Sequence, residues 1–307
     1  MLPEPLLIDE VVPLSPGKVG LAVLGQPISH SISPLLHHAA LNKLAKKECG
    51  FSSWHYGRID IHPDQLGDGL ERLKECGYTG LNLTIPHKVK VFDVIGNIDD
   101  EAVAMGAVNT LLYKSHEWVG YNTDGYGVSR AVSCHLGYQI KDSSVLILGA
   151  GGAARAASVQ FLRQGCCELK ILNRSKERMQ SLLNLLNDRF GSAKVSGETF
   201  DAVDAKNILG KDWLIVNATA SGLDKNDISP FPFDLSLLGK GSAVYDMIYN
   251  PSKTKLLEEA ECACLPFANG LHMLVYQAAK ALEIWTGREV CPDTMLQAAL
   301  GSLSDEL

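Results

Sequence analysis

The sequence predicts an α/β protein with two domains, and three observations support this. Its 307 residues exceed one ordinary domain of roughly 100 to 200 residues and suit two. Short apolar runs alternate with segments of helical periodicity, which is typical of mainly parallel sheets covered by helices. The alternation starts afresh at Ser144. We therefore expect two α/β domains, each built on its own sheet, with a cleft between them.

Composition excludes several classes of partner and location. Hydrophobic residues make up 46% of the chain and charged residues 21%, as in ordinary globular proteins. The net charge of −7 argues against nucleic-acid or anionic-membrane partners, because both require concentrated lysine and arginine. The N-terminus carries acids where a secretory signal carries bases, and no apolar run reaches the roughly 18 residues of a membrane span. We expect a cytoplasmic monomer or homodimer.

Cysteine and histidine spacing indicates no metal site. The eight cysteines form no CxxC pair and no zinc-like spacing with histidine, so reduced thiols are expected. His30 and His87 follow predicted strands, but neither has two further ligands at matching spacing. For both histidines we expect packing or helix-end roles.

The first half of the chain contains several strand–helix units. Residues 1–17 are rich in proline and have no sustained period, so we expect an N-terminal arm with regular structure starting at Lys18. Residues 19–24 read as a strand, and 34–46 as a helix with Ser33 as its N-cap. Further predicted elements are a strand at 55–59, a helix at 64–75 and a strand at 80–83.

The second half repeats this rhythm without a homologous repeat. A last helix over 271–286 follows after the second sheet is complete. The preceding predicted elements are a strand at 145–149, a helix ending at 162, a strand at 169–172, a helix at 176–187, and strands near 213–217 and 243–247.

A glycine-rich loop follows the strand at 145–149 and opens a helix. Gly149 permits a tight turn, Gly151 lets the backbone approach a pyrophosphate, and the small Ala154 allows close helix packing. The helix start offers free N–H groups to phosphates. This context indicates a Rossmann-type, doubly wound dinucleotide-binding domain, whose loop is Gly149, Ala150, Gly151, Gly152, Ala153 and Ala154.

The end of the next strand favours NADP over NAD. There an acid would bind the adenosine ribose hydroxyl of NAD, whereas an arginine accommodates the extra phosphate of NADP. The strand ends at Asn173, Arg174 and Ser175, with Arg178 one turn later; Glu168 begins it and should point to the opposite end of the sheet. The alternative is two solvated arginines at a helix start.

Seven further segments resemble one family, in family order over about residues 19 to 290. They are identified as shikimate dehydrogenase motifs. The segments are GQPISHSISP at 25–34, NLTIPHK at 82–88, GAVNT at 106–110, NTDG at 122–125, NATASG at 217–222, DMIYNP at 246–251 and GLHMLVYQAA at 270–279.

The resemblance implies NADP-linked interconversion of 3-dehydroshikimate and shikimate, a step of aromatic amino acid (chorismate) biosynthesis. It also implies that the last helices return to the N-terminal domain, and that Lys88 and Asp124 lie at the reacting oxygen. Substrate contacts would be Ser31 and Ser33 for the carboxylate, Asn82, Thr84, Asn109 and Gln277 for ring hydroxyls, and Tyr249. The nicotinamide end would be lined by Thr219, Met247, Gly270 and Met273.

The chemistry of these residues agrees with that implication. Reducing a ketone needs a hydride at carbon and a proton or positive donor at oxygen, which Lys88 supplies while Asp124 orients it. Ser31 and Ser33 can face one carboxylate, although both residue types are common in turns and caps. Asn82 and Thr84 fall on one side of an extended segment, where satisfying backbone groups at a sheet edge is the alternative.

We therefore expect three parts: an arm at 1–17, a discontinuous substrate domain at 18–124 and 270–307, and an NADP-binding domain at 125–269. A quinate or dual quinate/shikimate dehydrogenase is the nearest alternative activity, and a non-catalytic NADP-responsive regulator is another. His272 stands where relatives often have a small residue, which bears on access to the nicotinamide side.

Overall fold

The computed structural model describes residues 3–191, 195–224 and 227–304. The ends of the expected arm (1–2) and of the expected last segment (305–307) lie outside the described residues, as do 192–194 and 225–226. Contacts divide the chain into two compact units. The first comprises 1–123 with 275–307, and the second comprises 124–274.

None of the helices in the described ranges combines the length and apolar character that a membrane crossing requires.

The first unit is built on a seven-stranded mixed sheet. Its strands are β1 (Leu6–Leu7), β2 (Val19–Gly25), β3 (Trp54–Asp60), β4 (Tyr78–Leu83), β5 (Asn97–Ile98), β6 (Thr110–Lys114) and β7 (Glu117–Tyr121). They lie in the order β1-β3-β2-β4-β6-β7-β5. Strand β6 runs antiparallel to both of its neighbours, β4 and β7, and the other pairings of these strands are parallel.

Helices follow several strands of this sheet within the first 123 residues. They are α1 (Ser33–Ala45), α2 (Leu66–Glu75), α3 (His87–Lys90) and α4 (Asp100–Met105). The apolar face of α2 repeats at helical spacing, and its leucines at 66, 70 and 73 are buried against the sheet core. The side chain of Asp99 caps α4, which ends at Gly106 in the left-handed conformation.

Part of the N-terminal segment packs on the first unit, and the expectation that regular structure starts at Lys18 is wrong. Leu6 and Leu7 pair in parallel with the end of β3, and Ile8 and Val11 are buried in the core of the first unit. The Arg72 guanidinium donates to the carbonyl of Val11 at 2.7 Å. A strand of two residues is too short to create a period in the sequence, so the pattern alone does not predict it.

The second unit is built on a six-stranded sheet in which the strands pair in parallel. Its strands are β8 (Ser144–Leu148), β9 (Glu168–Asn173), β10 (Val195–Thr199), β11 (Leu214–Asn217), β12 (Ala243–Asp246) and β13 (Phe267–Ala268). They lie in the order β10-β9-β8-β11-β12-β13. Residues 145–148 of β8 are all fully buried, as expected for a strand covered on both faces.

The helices of the second unit begin close to strand ends. They are α5 (Asp124–Arg130), α6 (Gly152–Arg163), α7 (Lys176–Phe190) and α8 (Lys255–Cys262). The Ser175 side chain caps α7 by accepting from the amide of Arg178, and Thr254 caps α8 by accepting from the amide of Leu257. These caps fix the residue at which each of the two helices begins.

The last two helices are α9 (Leu271–Thr286) and α10 (Pro292–Ser304). The division between the units falls within α9, at residue 275. Trp285 of α9 is buried and its indole N–H donates to the carbonyl of Leu111 in β6 at 2.9 Å. Lys43 of α1 donates to the Thr294 hydroxyl of α10 at 3.0 Å.

Replacing Ile8 with alanine should lower the free energy of unfolding by about 2–4 kcal/mol, because a buried aliphatic side chain would leave a cavity in the core. The matched Leu7→Ala variant removes an exposed side chain (55% accessible, against 5% for Ile8), so a change within about 0.5 kcal/mol is expected. Urea unfolding followed by circular dichroism measures both. Equal stabilities of the two variants would mean that the N-terminal segment does not pack on this sheet.

Candidate active site

Two serines lie just beyond the carboxyl end of β2. The Ser31 hydroxyl donates to the Ser33 hydroxyl at 3.2 Å, so the two oxygens lie side by side. The prediction that Ser33 caps α1 is wrong, because Ser33 is the first residue of the helix and Ile32 occupies the capping position. A capping side chain has to start outside the helix to reach the free backbone N–H groups.

Asn82 is buried near the end of β4, and both of its N–H donors are used inside the first unit. They donate to the carbonyl of Asn109 and to the hydroxyl of Thr110, each at 3.1 Å. The Asn82 amide oxygen accepts from the Tyr56 hydroxyl at 2.7 Å. Sequence reasoning missed Tyr56, because an aromatic residue at an alternating strand position is typical of core packing.

Asn109 and Gln277 lie 168 positions apart and meet within the first unit, where the Asn109 amide nitrogen is 3.4 Å from the Gln277 side-chain oxygen. The same nitrogen donates to the Thr123 hydroxyl at 3.0 Å, and the Asn109 oxygen accepts from the Thr123 backbone amide at 2.8 Å. The structure therefore brings together two of the predicted substrate contacts from distant parts of the chain.

The turn after β4 carries Thr84 and Lys88. The Thr84 amide donates to the carbonyl of Leu24 at 2.9 Å, and its carbonyl accepts from the His87 amide at 2.8 Å. Lys88 is the second residue of α3 and half-buried, and its carbonyl accepts from the Val108 amide at 2.8 Å. Backbone hydrogen bonds thus hold this turn on both sides.

The two histidines near these strand ends differ in environment. His87 is buried at the first position of α3, and burial lowers its pKa below the ordinary value. His30 is exposed. Across the described ranges, no group of three or more histidine, cysteine, aspartate or glutamate side chains has an arrangement that could hold a metal ion.

In the second unit, Gly149 makes the turn from β8 towards α6. Its φ of +110° lies in the region that favours glycine, and a Cβ there would meet the Ala218 carbonyl oxygen at 3.0 Å. Its amide donates to the carbonyl of Leu172 at 2.7 Å. A Cβ at Gly151, by contrast, would meet nothing within 4 Å. Open space therefore lies over the loop, where a phosphate could approach its backbone.

The same loop begins α6. Gly151 is the capping residue in an extended conformation, and it has no side chain with which to cap the helix. The N–H groups of Gly152 and Ala153 lie in the first turn, which is the part of a helix that binds anions. Ala150 and Ala154 are buried beneath the loop and helix.

The end of β9 presents the predicted phosphate-binding residues. Asn173 donates to the carbonyl of Ser175 at 2.7 Å, and the Ser175 hydroxyl accepts from the Arg178 amide at 3.2 Å. Arg174 and Arg178 are both exposed. Glu168 is the first residue of β9, at the opposite end of the strand, as the sequence predicts.

A buried carboxylate joins the ends of β11 and β12. Asp246 accepts from the Asn217 side chain at 2.9 Å, the Ile248 amide at 3.0 Å and the Thr254 hydroxyl at 2.6 Å. Burial raises its pKa, and these three hydrogen bonds oppose the rise. Asn217 in turn accepts from the amide and hydroxyl of Thr219, at 3.0 and 2.7 Å. Sequence reasoning assigned Asp246 and Asn217 no role.

Gly270 lies against the loop after β12. A Cβ there would stand 2.0 Å from the Met247 carbonyl oxygen, so no larger residue fits without displacing that loop. Its amide donates to the carbonyl of Ile248 at 3.0 Å. Met273 is buried in the first turn of α9, and Tyr249 is half-buried.

His272 is stacked on His135, with ring centroids 3.4 Å apart and ring planes 17° from parallel. Burial lowers the pKa of both imidazoles, and for His272 the neighbouring His135 adds to this effect. Asp124 is buried at the first position of α5. That Asp124 and Lys88 act on one reacting oxygen stays a prediction.

The sheet order of the second unit reverses beside β8. Strands β9 and β10 lie on one side of β8, and β11 and β12 lie on the other, so the glycine loop after β8 opens at a switch point. Doubly wound sheets bind dinucleotides at such points, outside the carboxyl ends of their strands. The class of protein is therefore an α/β protein with a Rossmann-type dinucleotide-binding unit.

Comparison with known proteins gives the family. A shikimate dehydrogenase (NADP(+)) of Geobacter metallireducens is 36% identical over 283 residues, which cover 92% of this chain and 96% of that protein. The chain belongs to the shikimate dehydrogenase family. Its models match in three parts: the shikimate dehydrogenase substrate binding domain at 23–111, shikimate / quinate 5-dehydrogenase at 132–222, and the shikimate 5'-dehydrogenase C-terminal domain at 270–300.

Solved structures agree with this membership. A shikimate dehydrogenase crystallised with NADP+ superposes with a TM-score of 0.82 at 33% identity, covering 96% of this chain and 99% of that one. The Thermus thermophilus enzyme, in complex with NADP(H) and shikimate, has a TM-score of 0.79 at 32% identity, with coverage of 93% and 100%.

Two substitutions in the glycine loop distinguish its contribution to stability from its contribution to NADP binding. Gly149→Ala forces a side chain into the left-handed region, so we expect a loss of about 1–2 kcal/mol in stability. Gly151→Ala introduces no clash in the free protein and no strain at its φ of −84°, but alanine is a poorer helix-capping residue than glycine, so a smaller loss of about 0.5–1 kcal/mol is expected. Its methyl group would nevertheless occupy the space over the loop, so NADP affinity should fall. Thermal unfolding and calorimetric NADP binding measure the two effects, and undiminished affinity in Gly151→Ala would contradict the phosphate assignment.

Proposed function

We propose that this protein is an NADP-dependent shikimate dehydrogenase, which reversibly reduces 3-dehydroshikimate to shikimate in aromatic amino acid (chorismate) biosynthesis. The first unit binds the substrate and the second binds the dinucleotide. The observation that carries the proposal is the polar cluster of the first unit, in which Asn109 lies 3.4 Å from Gln277 across 168 positions of sequence. A cytoplasmic location remains a prediction from composition.

The substrate is held by neutral donors and acceptors. Ser31 and Ser33 present adjacent hydroxyls to the carboxylate of the substrate. Hydrogen bonds to this carboxylate are strong because the acceptor is charged. The ring hydroxyls are contacted by Asn82, Thr84, Asn109 and Gln277, and Tyr249 is a further contact. Recognition therefore depends on the number and direction of hydroxyl groups.

The reaction needs a hydride at the carbonyl carbon and a proton at its oxygen. NADPH supplies the hydride when it is bound. Lys88 donates a proton to the oxygen as negative charge develops there, and it accepts the proton again in the reverse direction. Asp124 orients the Lys88 ammonium group. An ammonium group contributes most at the point where charge is largest, which is the transition state.

The adenosine half of NADP is recognised at the end of β9. Arg174, with Arg178 one turn later, binds the extra phosphate, and Asn173 and Ser175 shape the turn. The residues that would hold the nicotinamide half are Thr219, Met247, Gly270 and Met273.

A panel of substrates and cofactors tests the activity directly. Shikimate and quinate are each offered with NADP and with NAD, and reduced nicotinamide is followed by its absorbance. The proposal expects the highest kcat/KM with shikimate and NADP. Preference for quinate would favour a quinate or dual quinate/shikimate dehydrogenase, and NADP binding without turnover would favour a regulator.

Lys88→Ala should lower kcat on the order of 100-fold or more, which is typical for loss of a general acid–base group. Shikimate binding should persist in calorimetry, since the serines and Gln277 remain. Lys90→Ala is the matched control, because Lys90 belongs to the same short helix but pairs with Asp64 on the surface. Near-normal kcat together with lost affinity would make Lys88 a binding residue.

Arg174→Ala should raise KM for NADP by about 10-fold or more while leaving weak NAD activity nearly unchanged. The lost interaction is a charge-assisted hydrogen bond to one phosphate, about 1.5–3 kcal/mol. Lys176→Ala removes an exposed charge nearby and serves as the control. An equal rise in KM for both cofactors would refute the assignment of Arg174 to the extra phosphate.

A further inference from the structure

Arg58 is a half-buried arginine of β3, the strand that lies between β1 and β2 in the sheet of the first unit. One terminal nitrogen of its guanidinium donates to the carbonyl of Ser29, which follows β2. The other terminal nitrogen donates to the carbonyl of Pro3, which precedes β1. This side chain therefore links the N-terminal segment to the segment that leads from β2 into α1.

The Ser29 carbonyl belongs to a tight turn that leads into Ser31. The Ser31 amide donates to the carbonyl of Ile28 at 3.2 Å, so Ser29 and His30 are the two central residues of the turn. Ile28 is buried, whereas both central residues are exposed. Apolar packing therefore holds the start of the turn, and the hydrogen bond from Arg58 holds its exposed part.

The two serines of the proposed carboxylate site are positioned by different parts of the chain. Ser33 is buried in the first turn of α1, so the helix determines where its side chain lies. Ser31 is half-buried and precedes the helix, with its hydroxyl 3.2 Å from that of Ser33. The spacing of the two hydroxyls therefore depends on the turn that Arg58 contacts.

The N-terminal segment lies ahead of the residues that match the substrate-binding domain of the family, which begin at residue 23. Strand β1 nevertheless pairs with β3, with Leu6 opposite Ile59. In this position the segment offers the Pro3 carbonyl to Arg58. The rigid, planar arrangement of guanidinium donors suits an arginine to binding two acceptors at once.

We propose that Arg58 is a positioning residue for substrate binding, which links the N-terminal segment to the turn at 28–31 and so keeps the Ser31 hydroxyl beside that of Ser33. The inference rests on the proposed function, in which these hydroxyls bind the substrate carboxylate. Arg58 donates to two neutral carbonyls of the protein, so it acts through the geometry of the turn. Its loss should weaken substrate binding and leave the hydride transfer step intact.

Arg58→Ala removes both hydrogen bonds. We expect KM for shikimate to rise about 3- to 10-fold, less than for loss of a direct charge-assisted contact, with kcat within about 2-fold and KM for NADP unchanged. Arg72→Ala is the matched control, because Arg72 donates to the carbonyls of Asp9 and Val11 in the same N-terminal segment, away from the turn. Its KM for shikimate should equal that of the parent protein. An unchanged KM in Arg58→Ala, or an equal rise in both variants, would overturn the positioning role.

A double-mutant cycle tests whether the effect passes through the Ser31 hydroxyl. If it does, Arg58→Ala should raise KM by less than about 2-fold when residue 31 is already alanine, because coupled residues are not additive. The full rise in the Ser31→Ala background would mean that Arg58 contacts the carboxylate itself or acts elsewhere, and this overturns the inference. An inactive parent protein overturns the proposed function as well.

Hydrogen exchange tests the link without any substrate, so its outcome is independent of the proposed function. Arg58→Ala should speed amide exchange both in peptides covering 3–11 and in peptides covering 28–33. Arg72→Ala should speed exchange in 3–11 alone. Unchanged exchange over 28–33 in Arg58→Ala would show that the arginine does not hold the turn, and would overturn the inference even in an active enzyme.

Discussion

A polar side chain at the end of a buried strand has to find its partner inside the protein, and this constraint shapes both units. Leaving a buried donor or acceptor unpaired costs about 1–3 kcal/mol, whereas each satisfied bond contributes less. Asn82 at the end of β4 and Asn217 at the end of β11 therefore bind groups on neighbouring segments. In each unit the hydrogen bonds of this asparagine side chain hold the loops beyond the strand ends in place.

Two glycines allow the backbone to pass close to the loops after β11 and β12 of the second unit. Gly270 allows the chain to pass against the Met247 carbonyl, and Gly149 turns the backbone where other residues are strained. The hydrogen bonds of Asn217 and Asp246 then hold the loops after β11 and β12 together. Side-chain polarity and backbone proximity thus constrain the same region independently.

The sequence predicted the long, regular features best. The helix over 271–286 and the buried strand β8 have enough residues to display a period, and the glycine loop has a physical reason for each small residue. The strand β1 was missed because two residues carry no period. The cap at Ser33 was predicted wrongly, because one residue decides whether a side chain lies inside or outside a helix.

The roles of Tyr56 and Asp246 could not be predicted for a different reason. A tyrosine in a strand and an aspartate after an apolar run have the same sequence context whether they fill a core, face water or orient an amide. The distinction depends on which residues the topology brings beside them, as it brings Asn82 of β4 beside Tyr56 of β3. Pairings of that kind follow from strand order rather than from local pattern.

Buried and exposed site residues should therefore respond differently to change. Arg174 is exposed, so we expect its loss to affect the proposed phosphate contact and little else in the protein. Asp246 is fully buried with three donors directed at it, so removing its carboxylate would leave all three unpaired and release the loop that carries Thr219. We therefore expect exposed residues such as Arg174 to determine which ligand binds. The buried hydrogen bonds of Asp246 maintain the positions of the loops around that ligand.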